Sequence, residues 1–430
     1  MKFTNLGGAT AILEHRGKRM LFDPWLDDGI FHGSWFHWPP ASSRAEDLGR
    51  FDYVYISHIH EDHCSAETIR HINRDAEIII MDRRPNFVLN FLQAHGFNFS
   101  KIHLVPPRNG LKLSEDIFVD MIEANPADEM TYMIDSSIVI RWGNYVIFNA
   151  NDCQPHASGV EYLKKNYPKI DLAMLPYSGG SGYPSCYSNL SENEKLSERE
   201  RILKMRIDGF IENTKRIDPR YIIPFADQYV VGGSRSHLNR YISHGACPGI
   251  VGEQVKLAGL SDRLLLLNSG QSFDLDDCKR TPDDPYQEFT EQDRDRYIAD
   301  SLTQVTYDHE RVTFGPLVPI NRLVLHARSR LWEAQKRRQT FPKTRFILNL
   351  NDSRRRFEID LTTEDVRELE STAILEEPFL RISGSDTLMC MLLIGHISWN
   401  IADAALFLDY ERKPNNYDPS VYVLLNLLRI

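Results

Sequence analysis

The stretch FDYVYISHIHEDHCS sets His58, His60, Asp62 and His63 directly behind the apolar run Tyr53-Val54-Tyr55-Ile56. Nothing else in the chain limits its fold as much. Side chains alternate along extended backbone, so His58 and His60 leave the end of a strand on the same side. The turn through Glu61 then carries Asp62 and His63 round to the same mouth, adding a carboxylate and a third imidazole. Imidazoles and carboxylates packed this densely are the pattern of a metal site. The fold must therefore open a buried strand into a loop, and the remaining ligands must come from later strand ends.

The rest of the chain supplies such strands. Residues 1–25 alternate as hairpin strands, with Gly7-Gly8 as a turn and Asp23-Pro24 closing a strand. Residues 52–57 form the metal-loop strand, and 66–74 a following helix. Residues 77–81, around Ile78-Ile79-Ile80, read as a strand and 86–95 as a helix. Residues 117–122, 137–142 and 145–149 read as strands, the last two joined by the hairpin turn Gly143-Asn144. Residues 194–216 form a charged amphipathic helix, read as a solvated face. Strands and helices alternating in one layered unit give an α/β architecture with two sheets.

At 274–296 the composition turns to DLDDCKRTPDDPYQEFTEQDRDR, an acidic linker or surface loop. It divides a metal-binding catalytic domain, 1–273, from a smaller C-terminal α+β domain, 297–430. There, 318–338 has helical periodicity, 344–349 and 357–361 look like paired strands, and 386–408 is apolar and helical.

With 430 residues the chain exceeds one average domain, and its formal charge of −10 argues against a nucleic-acid partner, which would need a concentrated basic face. No apolar run approaches the ~20 residues of a membrane span, and no secretory signal is visible, so the cytoplasm is expected. Cys64, Cys153, Cys186, Cys247, Cys278 and Cys390 lie far apart without a CxxC pair and read as free thiols. Cys64 and Cys153 sit beside proposed ligands, either as soft ligands or as small core residues packed under the site.

HxHxDH after a buried strand resembles the metallo-β-lactamase superfamily. The ordered set LGGATAILEHRGKRMLFDPWL, FHGSWFHWPP, YISHIHEDH, VIFNANDCQP, PYSGGSGYP and YIIPFADQYV, over most of residues 1 to 245, is similar to the catalytic portion of the CMP-N-acetylneuraminate hydroxylases. The resemblance implies an αββα sandwich holding one or two metals at strand ends. Asp152, in FNANDCQ, matches the superfamily's bridging aspartate, although an Asn-Asp pair also serves turns. Zinc hydrolases of this fold supply two further histidines, and EANPADEMTYMIDSSIVI and IIPFADQY contain none. Asp135 is the expected replacement for the first and Asp227 for the second; Asn125, Asp128, His237 and His244 are weaker substitutes.

His58, His60, Asp62, His63, Asp152, Asp135 and Asp227 are thus the expected metal ligands, with Asp62, His63 and Asp152 as the catalytic group. Histidines mixed with carboxylates suit non-haem iron better than zinc, so iron is expected over zinc and an oxygenase over a hydrolase. The substrate class implied is a small molecule, polar and linked to a nucleotide or carrier. The hydroxylases carry a Rieske module with paired CxH and CxxH motifs. This chain has CxxH at Cys153 to His156 and no CxH, so electrons are expected from a separate donor. The alternative is a hydrolase whose metal-activated water attacks an ester, amide or phosphodiester, with Asp62 orienting it.

PYSGGSGYP has the glycine freedom to bring backbone N–H groups against an oxyanion, but no P-loop lysine, so a tight turn competes. Tyr177, Ser178 and Tyr183 are expected to reach the metal mouth. Trp35, His37 and Trp38 read as an exposed aromatic loop that covers a base or sugar ring, or else caps a sheet edge. GHISWNIADAALFLDYERKP faintly resembles sterol-carrier-type domains, and a helix packed on the first domain explains the same pattern.

Overall fold

A computed structural model describes residues 1–243, 248–312 and 319–430; His244 and Cys247 lie outside the described residues. Two sheets face one another. The first runs in the order Lys279–Thr281, Ser272–Asp274, Lys2–Gly7, Thr10–His15, Lys18–Phe22, Tyr53–Tyr55, Glu77–Met81, Lys101–Val105. The second runs Tyr221–Phe225, Leu172–Pro176, Tyr145–Asn149, Ser136–Trp142, Ile117–Glu123, Leu111–Lys112.

The sequence explains why the sheets are covered on both faces. In EIIIM, Ile79 and Met81 enter the core between the sheets, whereas Ile78 and Ile80 pack outward with Ile69, Val88 and Leu92 of the covering helices. Period-two alternation with both faces apolar requires a layer on each side. The helices Ala157–Asn166 and Glu192–Ile217 do the same for the second sheet through Val160, Leu163, Ile207 and Phe210. The result is the expected αββα sandwich.

The 273/274 boundary does not coincide with a structural break. Ser272–Asp274 pairs with Lys2–Gly7 and then with Lys279–Thr281, so the acidic stretch begins inside a hairpin of the first sheet. Beyond it, strands Val366–Leu369, Arg356–Asp360, Arg345–Leu350, Phe379–Gly384 and Asp409–Lys413 form a third sheet, against which Ile320–Arg338 and Asp386–Leu393 pack. Its core runs without interruption into Trp25, Ile30, Phe31, Trp35 and Tyr229 of the sandwich. The expected helix over 386–408 is broken: Asp386–Leu393 stops before Gly395, at φ 73°, and Ser398 caps a new helix, Trp399–Ala404, by accepting from Ile401 N. That break turns the second helix onto the end of the sandwich where the histidines emerge.

Candidate metal centre

Tyr53–Tyr55 lies parallel between Lys18–Phe22 and Glu77–Met81, so the chain leaves it at the same end of the sheet as Asp23. Asp23 is fully buried and organises the loop. Its Oδ1 accepts from Ser57 N at 2.7 Å and its Oδ2 from His63 Nδ1 at 3.0 Å. Because the carboxylate can only accept, the His63 proton sits on Nδ1 and Nε2 faces the mouth. A helical turn, with His63 N and Cys64 N donating to His60 O at 2.9 and 2.8 Å, brings the third imidazole back beside the first. Beneath it, Ser136 Oγ donates to Ser57 O at 2.8 Å and Tyr55 Oη to Ser136 O at 3.1 Å, tying the two sheets together.

The donor atoms converge. His58 Nε2 lies 2.9 Å from His60 Nδ1, 3.8 Å from Asp152 Oδ2 and 3.9 Å from Asp135 Oδ1. His63 Nε2 lies 3.5 Å from Asp62 Oδ2 and 3.6 Å from Asp152 Oδ2. Donors around one ion at ~2.0–2.2 Å stand roughly 3–3.5 Å apart, close to these spacings. Asp152 is aimed by Asn151, whose φ is 45° and whose Oδ1 accepts from Asp152 N at 2.9 Å, while its Nδ2 donates to Ser136 O at 2.8 Å. Asp135 is fixed by its backbone: its O accepts from Arg83 Nη2 at 2.6 Å, and its N donates to Thr131 O at 2.7 Å.

The electrostatics ask for a cation. Asp135 Oδ1 and Asp152 Oδ1 are buried without a hydrogen-bond partner. Burial, then the neighbouring Asp152 charge, drives the Asp135 carboxyl well above its ordinary value. Burial drives His58 well below its ordinary value, helped by the His63 and His60 charges. His63 is also buried, but Asp152, Asp62 and Asp23 outweigh that and raise it strongly. Carboxylates this close without a shared cation repel one another, and a buried charge without a partner is strongly unfavourable. The residues present therefore fit a metal: among the described residues His58, His63 and Asp152 each offer a ligand atom within 4.8 Å of the others, and His60, Asp62 and Asp135 stand beside them. Asp227 lies outside this set. It is buried, and burial pushes its carboxyl to about 8 although the Tyr177 and Ser178 hydroxyls lie close. Neither of its oxygens nor Ser178 Oγ reaches hydrogen-bond geometry, and among the described residues Asp227 forms no ion pair with the histidines.

A residue that sequence reasoning missed closes the centre. Asn400, on Trp399–Ala404, places Oδ1 2.8 Å from His60 Nε2. As an acceptor it keeps the His60 proton on Nε2 and leaves Nδ1 turned to His58. The same helix binds the sandwich at Trp35, whose Nε1 donates to Ala404 O at 3.0 Å, and at Gly182, whose N donates to Asp403 Oδ2 at 3.1 Å. Packing on the first domain thus accounts for the GHISWNIADAALFLDYERKP pattern. Asp23 was missed too, although a carboxylate ending the strand beside the metal strand is a signal that can be read.

Several expected contacts lie elsewhere. Trp35, His37 and Trp38 are buried, not an exposed loop. Trp35 stacks on Tyr229, His37 stacks on Trp25 with Nδ1 2.9 Å from Asp28 Oδ1, and Trp38 packs against Ile298 and Leu302. The strand Trp35–His37 pairs with Tyr229–Val231, which draws the rings inward. Tyr177 is wholly buried, and Tyr183 turns away to donate to Glu198 Oε2 at 2.9 Å. Asn125, Asp128 and His237 are exposed. Cys64 and Cys153 are buried free thiols whose pKa burial raises well above the ordinary value, as expected of core residues. The described Cys186, Cys278 and Cys390 are free as well. Among the described residues no helix is long and apolar enough to cross a membrane.

Residues 2–226 match the family model described as a β-lactamase superfamily domain. The chain is 34% identical over 192 residues to a protein of Mycobacterium tuberculosis named as a Rieske 2Fe-2S iron-sulfur protein, a match that covers 44% of this chain and 36% of that protein. It is 28% identical over 241 residues to the cytidine monophosphate-N-acetylneuraminic acid hydroxylase of Mus musculus, covering 54% of this chain and 39% of the hydroxylase. The chain therefore matches well under half the length of these curated relatives. Among solved structures, Igni18, a metallo hydrolase from Ignicoccus hospitalis, aligns over 64% of this chain and 98% of its own, at 18% identity and a TM-score of 0.44.

Proposed function

The chain belongs to the metallo-β-lactamase superfamily, whose fold marks a metal-dependent enzyme, and from that premise we propose that it is an iron-dependent hydroxylase of a polar substrate linked to a nucleotide or carrier. One observation carries the reading. Asp135 Oδ1, buried without a hydrogen-bond partner, and Asp152 Oδ2 stand 3.9 and 3.8 Å from His58 Nε2, so carboxylates join the imidazoles here. Hard carboxylate oxygens beside imidazoles suit iron with open positions. Similarity to the mouse hydroxylase and to the Rieske-named relative supports the same choice.

His58, His60 and Asp152 would hold the iron with Asp135, and Asp62 and His63 a second ion. Bound there, iron supplies dioxygen activation. The residues do the rest. Asp23 and Asn400 fix the two imidazoles, so the donors are set before any ligand arrives. Asp62, 3.5 Å from His63 Nε2, is placed to accept or return a proton at Oδ2 when no second ion occupies it. The Trp399–Ala404 helix covers one side of the mouth and restricts water. Hydroxylation consumes dioxygen, two electrons and two protons, and releases water. The electrons would come from a reductase or Rieske-type donor, or be stored in a two-iron site.

The test compares protein loaded with Fe(II) and with Zn(II). We expect reductant-driven dioxygen consumption by the iron form above that of iron-treated His58→Ala, and no hydrolysis of p-nitrophenyl esters or bis(p-nitrophenyl) phosphate by either form. Metal-dependent hydrolysis by the zinc form, with no excess dioxygen consumption by the iron form, would overturn the reading in favour of a hydrolase.

A further inference from the structure

PYSGGSGYP lacks the lysine of a phosphate-binding loop, yet a cation reaches it from the next helix. Arg206, on Glu192–Ile217, lays its guanidinium against Gly179: a Cβ built there would stand 3.1 Å from Nη2 and 3.3 Å from Cζ. A side chain at 179 would press on the guanidinium, which would have to give by a few tenths of an ångström. At Gly180 a Cβ would stand 3.1 Å from Tyr229 Oη and 3.2 Å from the Trp35 ring. Bare backbone thus separates the Arg206 cation from the Tyr229 hydroxyl. At the far end, Asp403 pins the loop through Gly182 N at 3.1 Å.

Arg206 differs from Arg294 and Arg235, which donate to Asp295 Oδ1 at 2.8 Å and to Asp409 Oδ1 at 2.7 Å. The Arg206 Nε is shielded from solvent without a partner, and among the described residues Arg206 forms no ion pair. Burial lowers its pKa, while Asp152 and Asp128 partly restore it, so it lies within electrostatic reach of the candidate bridging carboxylate. A guanidinium stays charged at any physiological pH, and a half-buried charge without a counter-ion favours one.

We infer that Arg206 and the bare backbone of Gly179 and Gly180 form an anion subsite beside the metal centre, which takes a carboxylate or phosphoryl group of the substrate. The planar fork of arginine meets both groups with paired hydrogen bonds. This inference deepens the metal-enzyme reading and rests on it, but not on the identity of the metal.

The experiment is calorimetric titration of the metal-loaded protein, in iron and zinc forms, with inorganic phosphate and separately with acetate, alongside Arg206→Met and Arg206→Lys. Metal content is measured for each. We expect phosphate or acetate affinity to fall about tenfold or more in Arg206→Met and less in Arg206→Lys, with metal content unchanged. The anion that loses more affinity identifies the group bound. Undiminished affinity for both anions in Arg206→Met would overturn the inference, and so would a loss that follows falling metal content. Should the zinc form alone be stable, the hydroxylase reading fails while the anion result still stands or falls separately.

Discussion

Two segments meet at His60 from opposite directions. The loop from His58 to His63 carries four donor side chains in one short run, locked by Asp23 and Ser57 from the same sheet. The helix Trp399–Ala404 brings one amide, Asn400, from 340 positions away. The first segment offers the donor atoms proposed to touch a metal. The second sets which nitrogen of one of those proposed ligands is free to do so. A centre of this kind therefore depends on both local sequence and tertiary closure, but to different degrees.

The largest effect should come from the loop. His58→Ala or His60→Ala is expected to remove metal and activity together, read by elemental analysis and dioxygen uptake; retention of both would take the centre away from this loop. Asp135 tests the far side of the mouth. Asp135→Ala should lower metal occupancy severalfold, whereas Asp135→His should turn selectivity toward zinc, as shown by competition between the two metals. Unchanged occupancy in Asp135→Ala would pass its role to another residue.

Asn400 sharpens the contrast between segments. Asn400→Leu should keep the metal stoichiometry at saturation but weaken metal affinity about 10- to 100-fold, while Asn400→Asp, which keeps the acceptor, should stay near wild type. Equal affinity in both variants would make the helix a cover only.

The smallest effect concerns Asp227 in the metal-free protein. Its folded pKa, about 8, exceeds its ordinary 3.8, so the native state binds the additional proton between those values. Its contribution to stability is present at low pH and is lost as pH rises toward 8. Asp227→Asn should flatten that decline in thermal melts taken from pH 5 to 8. An unchanged slope would place the decline elsewhere.

How much of this could be read in sequence follows from the same contrast. The strands EIIIM and YVIFN declared themselves because burial makes apolar runs, and the HIHEDH loop because its donors lie so close together in sequence. Asp152 was legible only by its order behind a strand and Asp135 by its place just ahead of one, both through the family resemblance. The aromatic loop was misread because Trp35 and His37 sit on a short strand whose partner, Tyr229–Val231, lies almost two hundred positions away in the chain. Arg206 was read as part of a solvated face because helical periodicity says which side is inward, but not what stands opposite. The linker at 274 was misplaced because an acidic composition also suits an exposed edge hairpin.

The most direct test of the account is elemental analysis of untagged protein, purified without chelators from cells supplied with both iron and zinc. The account predicts iron at about one or two equivalents per chain. Zinc alone at those positions would contradict it.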